Sequence, residues 1–115
     1  RQQLDFIRAA TVAYHQWWAA GLRWRLAEEN LRLAQARDQA LTNQVQAGLI
    51  PRLVLTDNAR LVVARTLGVT QARRRFEGAA IALSLFLRDE NAEPLLVGRE
   101  RLPGSAPVPE PVALE

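Results

Sequence analysis

The sequence contains no cysteine, no methionine and no lysine, and only one histidine, His15. The missing thiols exclude disulfides and thiolate metal sites, and His15 has no second histidine or cysteine to help it hold a metal. This histidine is expected to be a surface or partly buried residue. No metal site and no cofactor is predicted, and the lack of cysteine is equally compatible with an oxidising and a reducing compartment.

No catalytic arrangement is recognisable either. There is no glycine-rich phosphate loop, and Ser84 and Ser105 have no base at a plausible spacing. Glu28 and Glu29 are adjacent, so on a helix their carboxylates diverge instead of acting on one substrate. We predict that the chain is not an enzyme.

Positive charge is present but interspersed with negative charge. All 15 basic residues are arginine, the formal net charge is +3, and the isoelectric point is near 10.9. The isoelectric point is high because, without lysine, few groups titrate between neutral pH and the arginine range. In the run 73–75, three consecutive helical arginines would point in three directions. Nucleic acid is therefore not the predicted partner.

The 115 residues suffice for one domain and contain no run of the roughly 18 apolar residues that a membrane helix needs. Because the chain starts at Arg1 and lacks methionine, we expect it to be a piece of a longer protein. Residues 114–115, Leu-Glu, resemble a cloning scar. Residues 103–113 are rich in proline and predict an extended linker.

Before that linker, proline and glycine mark one break between two long helix-prone runs. The first run is dominated by Ala, Leu, Arg, Gln and Glu, and its apolar residues recur in steps of three and four, the period of a left-handed supercoil. A second apolar stripe, including Leu4, Ile7, Leu26 and Leu33, should contact a further neighbour. These features predict helix 1 over about 4–47.

The second run repeats the design, with Leu55, Val62, Val69, Phe76 and Leu83 at intervals of seven. It predicts helix 2 over about 51–89. Folding the chain at the tip, 48–50, gives the following predicted pairs: Val45 with Leu55, Leu31 with Gly68 and Val69, Trp24 with Phe76, and Trp17 with Leu83. The fold class is thus all-α, a long antiparallel coiled-coil hairpin over 1–102 with a short irregular C-terminal segment.

Aromatic residues and one carboxylate lie on the predicted seams. Trp17 and Trp24 fall on the first stripe and Trp18 on the second, which favours core packing over a membrane-interface belt. The apolar segment 95–97 is expected to pack back on the base of the hairpin.

Asp38 interrupts the first stripe, where a buried carboxylate is costly without a partner. Arg60 or Arg65 across the hairpin would provide one. Alternatively, Asp38 faces a water-filled space.

The tip itself has unusual residues for a turn. Gly48 suits the end of a helix and Pro51 the first position of the next. Leu49 and Ile50, however, occupy the apex, where polar residues are the norm. Exposed apolar residues at this place predict that a partner docks there.

Three segments together resemble the TolC-like family of outer-membrane efflux proteins. They are the run 41–59 around Gly48-Leu49-Ile50-Pro51, the helix end 79–89 (Ala-Ala-Ile-Ala-Leu-Ser-Leu-Phe-Leu-Arg-Asp), and the opening 13–18 (Ala-Tyr-His-Gln-Trp-Trp). The resemblance covers nearly the whole chain up to 102–103, and it identifies the chain as the periplasmic hairpin of the first of two repeats.

That resemblance implies a homotrimer whose twelve long helices form a periplasmic tunnel in a Gram-negative bacterium. It implies passive export of small solutes through an outer-membrane channel, with an inner-membrane pump coupled by a periplasmic adaptor. The adaptor would bind the tip: Ala47, Gly48, Leu49, Ile50, Pro51 and Arg52. Thr56, Asp57 and Arg60 are the candidate gate region.

Two other classes remain open from the residues alone. One is a cytoplasmic coiled-coil interaction module that binds partner helices, and the other is an arginine-rich helical nucleic-acid binder. In either channel or scaffold, an isolated hairpin exposes faces made for neighbours, so we expect self-association as a dimer or higher bundle.

Overall fold

The computed structural model describes residues 2–87, 93 and 95–102. Helix α1 spans Gln2–Gln46, helix α2 spans Leu53–Ser84, and a single turn of 3-10 helix, η1, spans Arg99–Arg101. The two long helices pack against each other as an antiparallel hairpin, which confirms the predicted all-α fold. The predicted linker, 103–113, and the predicted scar, 114–115, lie outside the described residues.

The second helix is shorter than predicted. It begins at Leu53 instead of 51 and ends at Ser84 instead of about 89. At this end the hydrogen bonds change from the i to i−4 pattern of an α-helix to an i to i−3 pattern. The Leu85 N–H donates to the Ala82 carbonyl at 3.3 Å, and the Phe86 N–H donates to the Leu83 carbonyl at 2.9 Å. This turn sends the chain back toward α1.

Most of the core lies at the base of the hairpin, the end away from the tip. Trp17 is 2% exposed, and its ring centroid lies 6.0 Å from that of Phe76. The Trp24 ring lies 5.3 Å from Phe76, which confirms that predicted pair. Ala20 and Ala80 are buried beside these rings, so small residues make room for large ones. The tryptophans are core residues, as predicted, although Trp18 is only half-buried.

Residues 95–102, here called the return segment, pack back on α1. Val97 and Leu102 are buried, and the Trp17 indole N–H donates to the Val97 carbonyl at 3.1 Å. Leu102 lies against Gly21, where a Cβ atom would collide with its side chain. The predicted packing of 95–97 is therefore confirmed for Val97, whereas Leu96 remains 65% exposed.

Arg99 fixes the return segment by three further contacts. Its guanidinium lies 4.0 Å from the Trp24 ring centroid and 2.7 Å from a Glu28 carboxylate oxygen. Its carbonyl accepts a hydrogen bond of 3.3 Å from Arg25. A cation over an indole face that is also ion-paired is held in one place.

Toward the tip, the seam between the helices contains a buried polar side chain. Asn58 is 4% exposed, and its amide nitrogen donates to the Ala34 carbonyl at 3.1 Å and to Asp38 Oδ1 at 3.3 Å. The partner of Asp38 is thus Asn58, and neither Arg60 nor Arg65 contacts it. The sequence did not predict Asn58 as the partner of Asp38, because an asparagine is normally expected on the surface of a helix and not in its seam.

Replacing Asn58 by leucine should stabilise the hairpin. Its Oδ1 atom is buried without a hydrogen-bond partner, and a polar residue at a coiled-coil core position lowers stability. We expect the midpoint of thermal unfolding for Asn58→Leu, followed by far-UV circular dichroism, to rise by about 2–5 °C. Asn58→Ala is the control, and its cavity should lower the midpoint. A lower midpoint for Asn58→Leu would show that the amide contacts outweigh the orphaned oxygen.

Candidate functional site

The tip is closed by a glycine in a left-handed conformation. Gly48 has φ of 76°. Its N–H donates to the Val45 carbonyl at 3.0 Å, and the Leu49 N–H donates to the Gln44 carbonyl at 2.9 Å. This pair of hydrogen bonds is the Schellman motif, which requires positive φ and therefore favours glycine at the residue that follows the helix. The predicted role of Gly48 as the end of helix 1 is confirmed.

Leu49 is the most exposed large apolar side chain of the tip. It is 74% exposed, while Ile50 is half-buried and Ala47, Pro51 and Arg52 are exposed. Leu49 stays exposed because the helix residues that a Schellman turn brings nearest to it, Asn43 and Gln44, are polar and offer no apolar surface to cover it. The apolar apex predicted for two residues is thus formed mainly by one of them.

A second apolar residue of the tip was missed by the sequence analysis. Leu53, the first residue of α2, is 67% exposed. The available signal was a second leucine four residues after Leu49. The predicted seam pattern starts at Leu55, however, and does not include Leu53. Leu49 and Leu53 together give the tip two exposed leucines.

The first turn of α2 has no side-chain cap. Arg52 occupies the N-cap position without a side-chain hydrogen bond to the helix, and the first turn contains no acidic residue. Free N–H groups at a helix start attract acceptors and negative charge. Within this turn, however, the Val54 N–H donates to the Pro51 carbonyl at 3.2 Å and the Leu55 N–H to the Arg52 carbonyl at 2.9 Å. What the tip offers a partner is therefore chiefly its two exposed leucines.

Each long helix also carries an apolar stripe on the side away from the hairpin seam. We call these stripes the outer edges, and their members are 51–69% exposed: Leu4, Ile7 and Leu26 on α1, and Val63, Leu67 and Ile81 on α2, with Leu85 just beyond its end. Leu33, expected in the same stripe of α1, instead lines a hollow between the helices. At about 100° per residue, both stripes lie roughly half a turn from the buried seam residues. The hairpin is thus a ribbon of two helices with apolar residues along both outer edges.

The three predicted gate residues do not form one group. Thr56, Asp57 and Arg60 are all exposed. The spacing of four places Thr56 and Arg60 on the same side of α2, near its outer edge, whereas Asp57 lines a hollow beside Arg37 and Asn58. Their assignment as a gate stays a prediction.

Electrostatic perturbation does not single out another site. Arg32 donates a hydrogen bond of 3.0 Å to Glu29 and lowers the pKa of that carboxyl below its usual value. Both side chains are exposed and three residues apart on α1, so this is a surface ion pair of small energetic weight. His15 is exposed, in agreement with the sequence prediction.

Residues 2–87, 93 and 95–102 contain neither a cluster of metal ligands nor a candidate membrane-spanning helix. No three histidine, aspartate or glutamate side chains come together as metal ligands would. Neither long helix contains a stretch that is both long and apolar enough to cross a bilayer.

Comparison with protein-family models, with curated protein sequences and with solved structures finds no match to the chain.

Proposed function

We propose that the chain is the periplasmic helical hairpin of a TolC-like outer-membrane efflux protein in a Gram-negative bacterium. In this role the two helices form part of a tunnel wall in a homotrimer. The tip binds a periplasmic adaptor, which couples the tunnel to an inner-membrane pump. The tunnel itself is passive and conducts small solutes.

The observation that carries the proposal is the pair of outer edges. A helix in the wall of a helical tunnel must contact one neighbour on each flank, so it needs two apolar stripes on opposite sides. Both α1 and α2 have this arrangement, with one stripe in the seam and one on the outer edge. A simple two-helix hairpin in water would need the seam alone.

The tip supports the second part of the proposal. The tip carries two exposed leucines, Leu49 and Leu53, and burying such apolar side chains against another protein is favourable. Leu49 makes no contribution to the buried core of the hairpin. Selection of leucine at this place is therefore better explained by a partner than by folding.

The outer edges predict the behaviour of the isolated chain. We expect it to associate as a dimer or higher bundle in light scattering at high concentration, because several large apolar side chains are half exposed. Replacing two of them, Leu4→Gln with Leu26→Gln, should shift the population toward monomer. Leu49→Gln is the control, since it removes an exposed apolar residue from the tip instead of an edge. A monomer at all concentrations would contradict the assembly role of the edges.

The proposal also predicts what else the parent gene encodes. It should encode an export signal and a second copy of the arrangement of long helix, glycine-containing tip and returning helix. A parent protein without a second repeat would contradict the channel and favour the coiled-coil interaction module.

A further inference from the structure

A groove runs along the seam on one face of the hairpin. Three hollows follow one another, with volumes of about 110, 180 and 210 Å³. Arg37 and Leu61 line both the second and the third hollow, so these two are continuous. We call this feature the seam groove. It extends over residues 20–37 of α1, about 25 Å.

The seam groove lies on the face that the return segment leaves free. The return segment contacts α1 through Trp17, Gly21, Trp24 and Glu28. The groove residues of α1 include Arg23, which helical geometry places about 100–160° around the helix from those contacts, across the seam. At the base of the hairpin, the return segment therefore covers one face, and no other segment among the described residues covers the opposite face.

Four arginines line the seam groove: Arg23, Arg37, Arg65 and Arg75. Among the described residues none of the four has an ion-pair partner, since the ion pairs found there are Arg32 with Glu29 and Arg99 with Glu28. One carboxylate, Asp57, lines the end near the tip. The groove thus has an excess of unpaired positive charge along an apolar floor.

A further feature shows that the hairpin itself does not fill the groove. At Gly68, in the first hollow, no atom of α1 lies within 4 Å of the place where a Cβ would stand. Helix seams are normally packed without such a gap. The space at Gly68 therefore gives room for a side chain from another molecule.

We propose that the seam groove docks a third α-helix from a protein partner, with carboxylates on both flanks of an apolar stripe. Two helices with a heptad seam offer a third helix the geometry of a three-helix coiled coil. Arg23 and Arg37 are two heptads apart, about 21 Å, so they match carboxylates that recur at heptad spacing.

The same features argue against nucleic acid as the occupant. The side chains that line the three hollows include no aromatic residue on which a base could stack. Their floor is apolar, with Ala20, Val54 and Leu61, and suits aliphatic side chains better than a sugar-phosphate backbone. The proposal does not depend on the channel function, because any protein that contains this hairpin presents the groove.

The test uses the chain with a synthetic helical peptide of about four heptads, with leucine at the core positions and glutamate at the flanking positions. Binding is followed by fluorescence anisotropy of the labelled peptide at low salt. Removing two groove arginines, Arg23→Gln with Arg75→Gln, should weaken binding about two- to tenfold, because exposed ion pairs each contribute modestly. Filling the first hollow by Gly68→Leu should weaken binding without any change of charge.

A matched control removes the same charge elsewhere. Arg8 and Arg73 are exposed arginines that do not line the groove, so Arg8→Gln with Arg73→Gln should bind the peptide as the unaltered chain does. A peptide with lysine in place of glutamate should not bind. Equal effects of the two double variants, or no binding of the acidic peptide, would overturn the proposal. Tighter binding of a single-stranded oligonucleotide, lost on Arg23→Gln with Arg75→Gln, would assign the groove to nucleic acid instead.

Discussion

Leu49→Asp in the full-length parent protein is expected to abolish export while leaving the helices of the hairpin intact. The side chain is 74% exposed and outside the core, so the folded hairpin loses nothing by the change. At a docked tip, however, the substitution places a carboxylate in an apolar contact, which costs several kcal/mol without a compensating partner. A cost of about 3 kcal/mol or more would weaken adaptor binding at least a hundredfold.

The measurement is the survival of cells that depend on the parent protein to export a toxic solute. Leu49→Ile keeps an apolar side chain of the same size and should retain export. Gln39→Asp adds the same charge on exposed α1 surface about two turns before the helix ends, and it should also retain export. Normal export by Leu49→Asp at a normal protein level would show that the tip does not dock an adaptor through this residue.

Trp17→Ala is expected to lower the free energy of unfolding of the hairpin by about 3–5 kcal/mol. Trp17 is 2% exposed, packs on Phe76, and hydrogen-bonds the return segment through Val97. Its removal leaves a large cavity at the point where both helices and the return segment meet. Urea unfolding, followed by far-UV circular dichroism at 222 nm, measures the effect.

Two controls separate packing from the hydrogen bond. Trp17→Phe keeps a ring but loses the N–H, and should cost about 1–3 kcal/mol from the hydrogen bond and the smaller ring together. Val12→Ala removes methyl groups from a side chain that is 53% exposed, and should change stability by less than about 0.5 kcal/mol. If Trp17→Ala were as mild as Val12→Ala, the base of the hairpin would not be its core.

The periodicity of the sequence was sufficient to predict the hairpin. Apolar residues in steps of three and four give each helix one apolar face, and a short turn between the helices brings these faces together in antiparallel orientation. The contact of Trp24 with Phe76 follows from this periodicity. The positive φ of Gly48 follows from the position of the glycine at the end of the first helix. The end of α2 at Ser84 does not follow from the periodicity. There the backbone changes to the tighter hydrogen bonds of Leu85 with Ala82 and of Phe86 with Leu83, while the apolar pattern continues through Leu85, Phe86 and Leu87.

The site was predictable to a smaller degree. Glycine and leucine at the break pointed to the tip, but Leu49 and Ile50 are equally apolar, so their difference in exposure is set by the tertiary fold and not by residue type. The sequence predicted that Asp38 lies in the seam and needs a partner. Identifying that partner as Asn58 required the axial alignment of the two helices, which the sequence does not specify. A heptad pattern specifies faces, whereas contacts between particular residues need the tertiary register.

Leu102 packs on Gly21, and this contact fixes where along the hairpin the return segment ends. Gly21 lies nineteen residues after Gln2, so Leu102 lies about 28 Å along α1 instead of at its end. In any assembly with a rotation axis parallel to the helices, the Leu102 residues of all copies lie in one plane. The return segments would then form a ring around the middle of the assembly, well away from the tips.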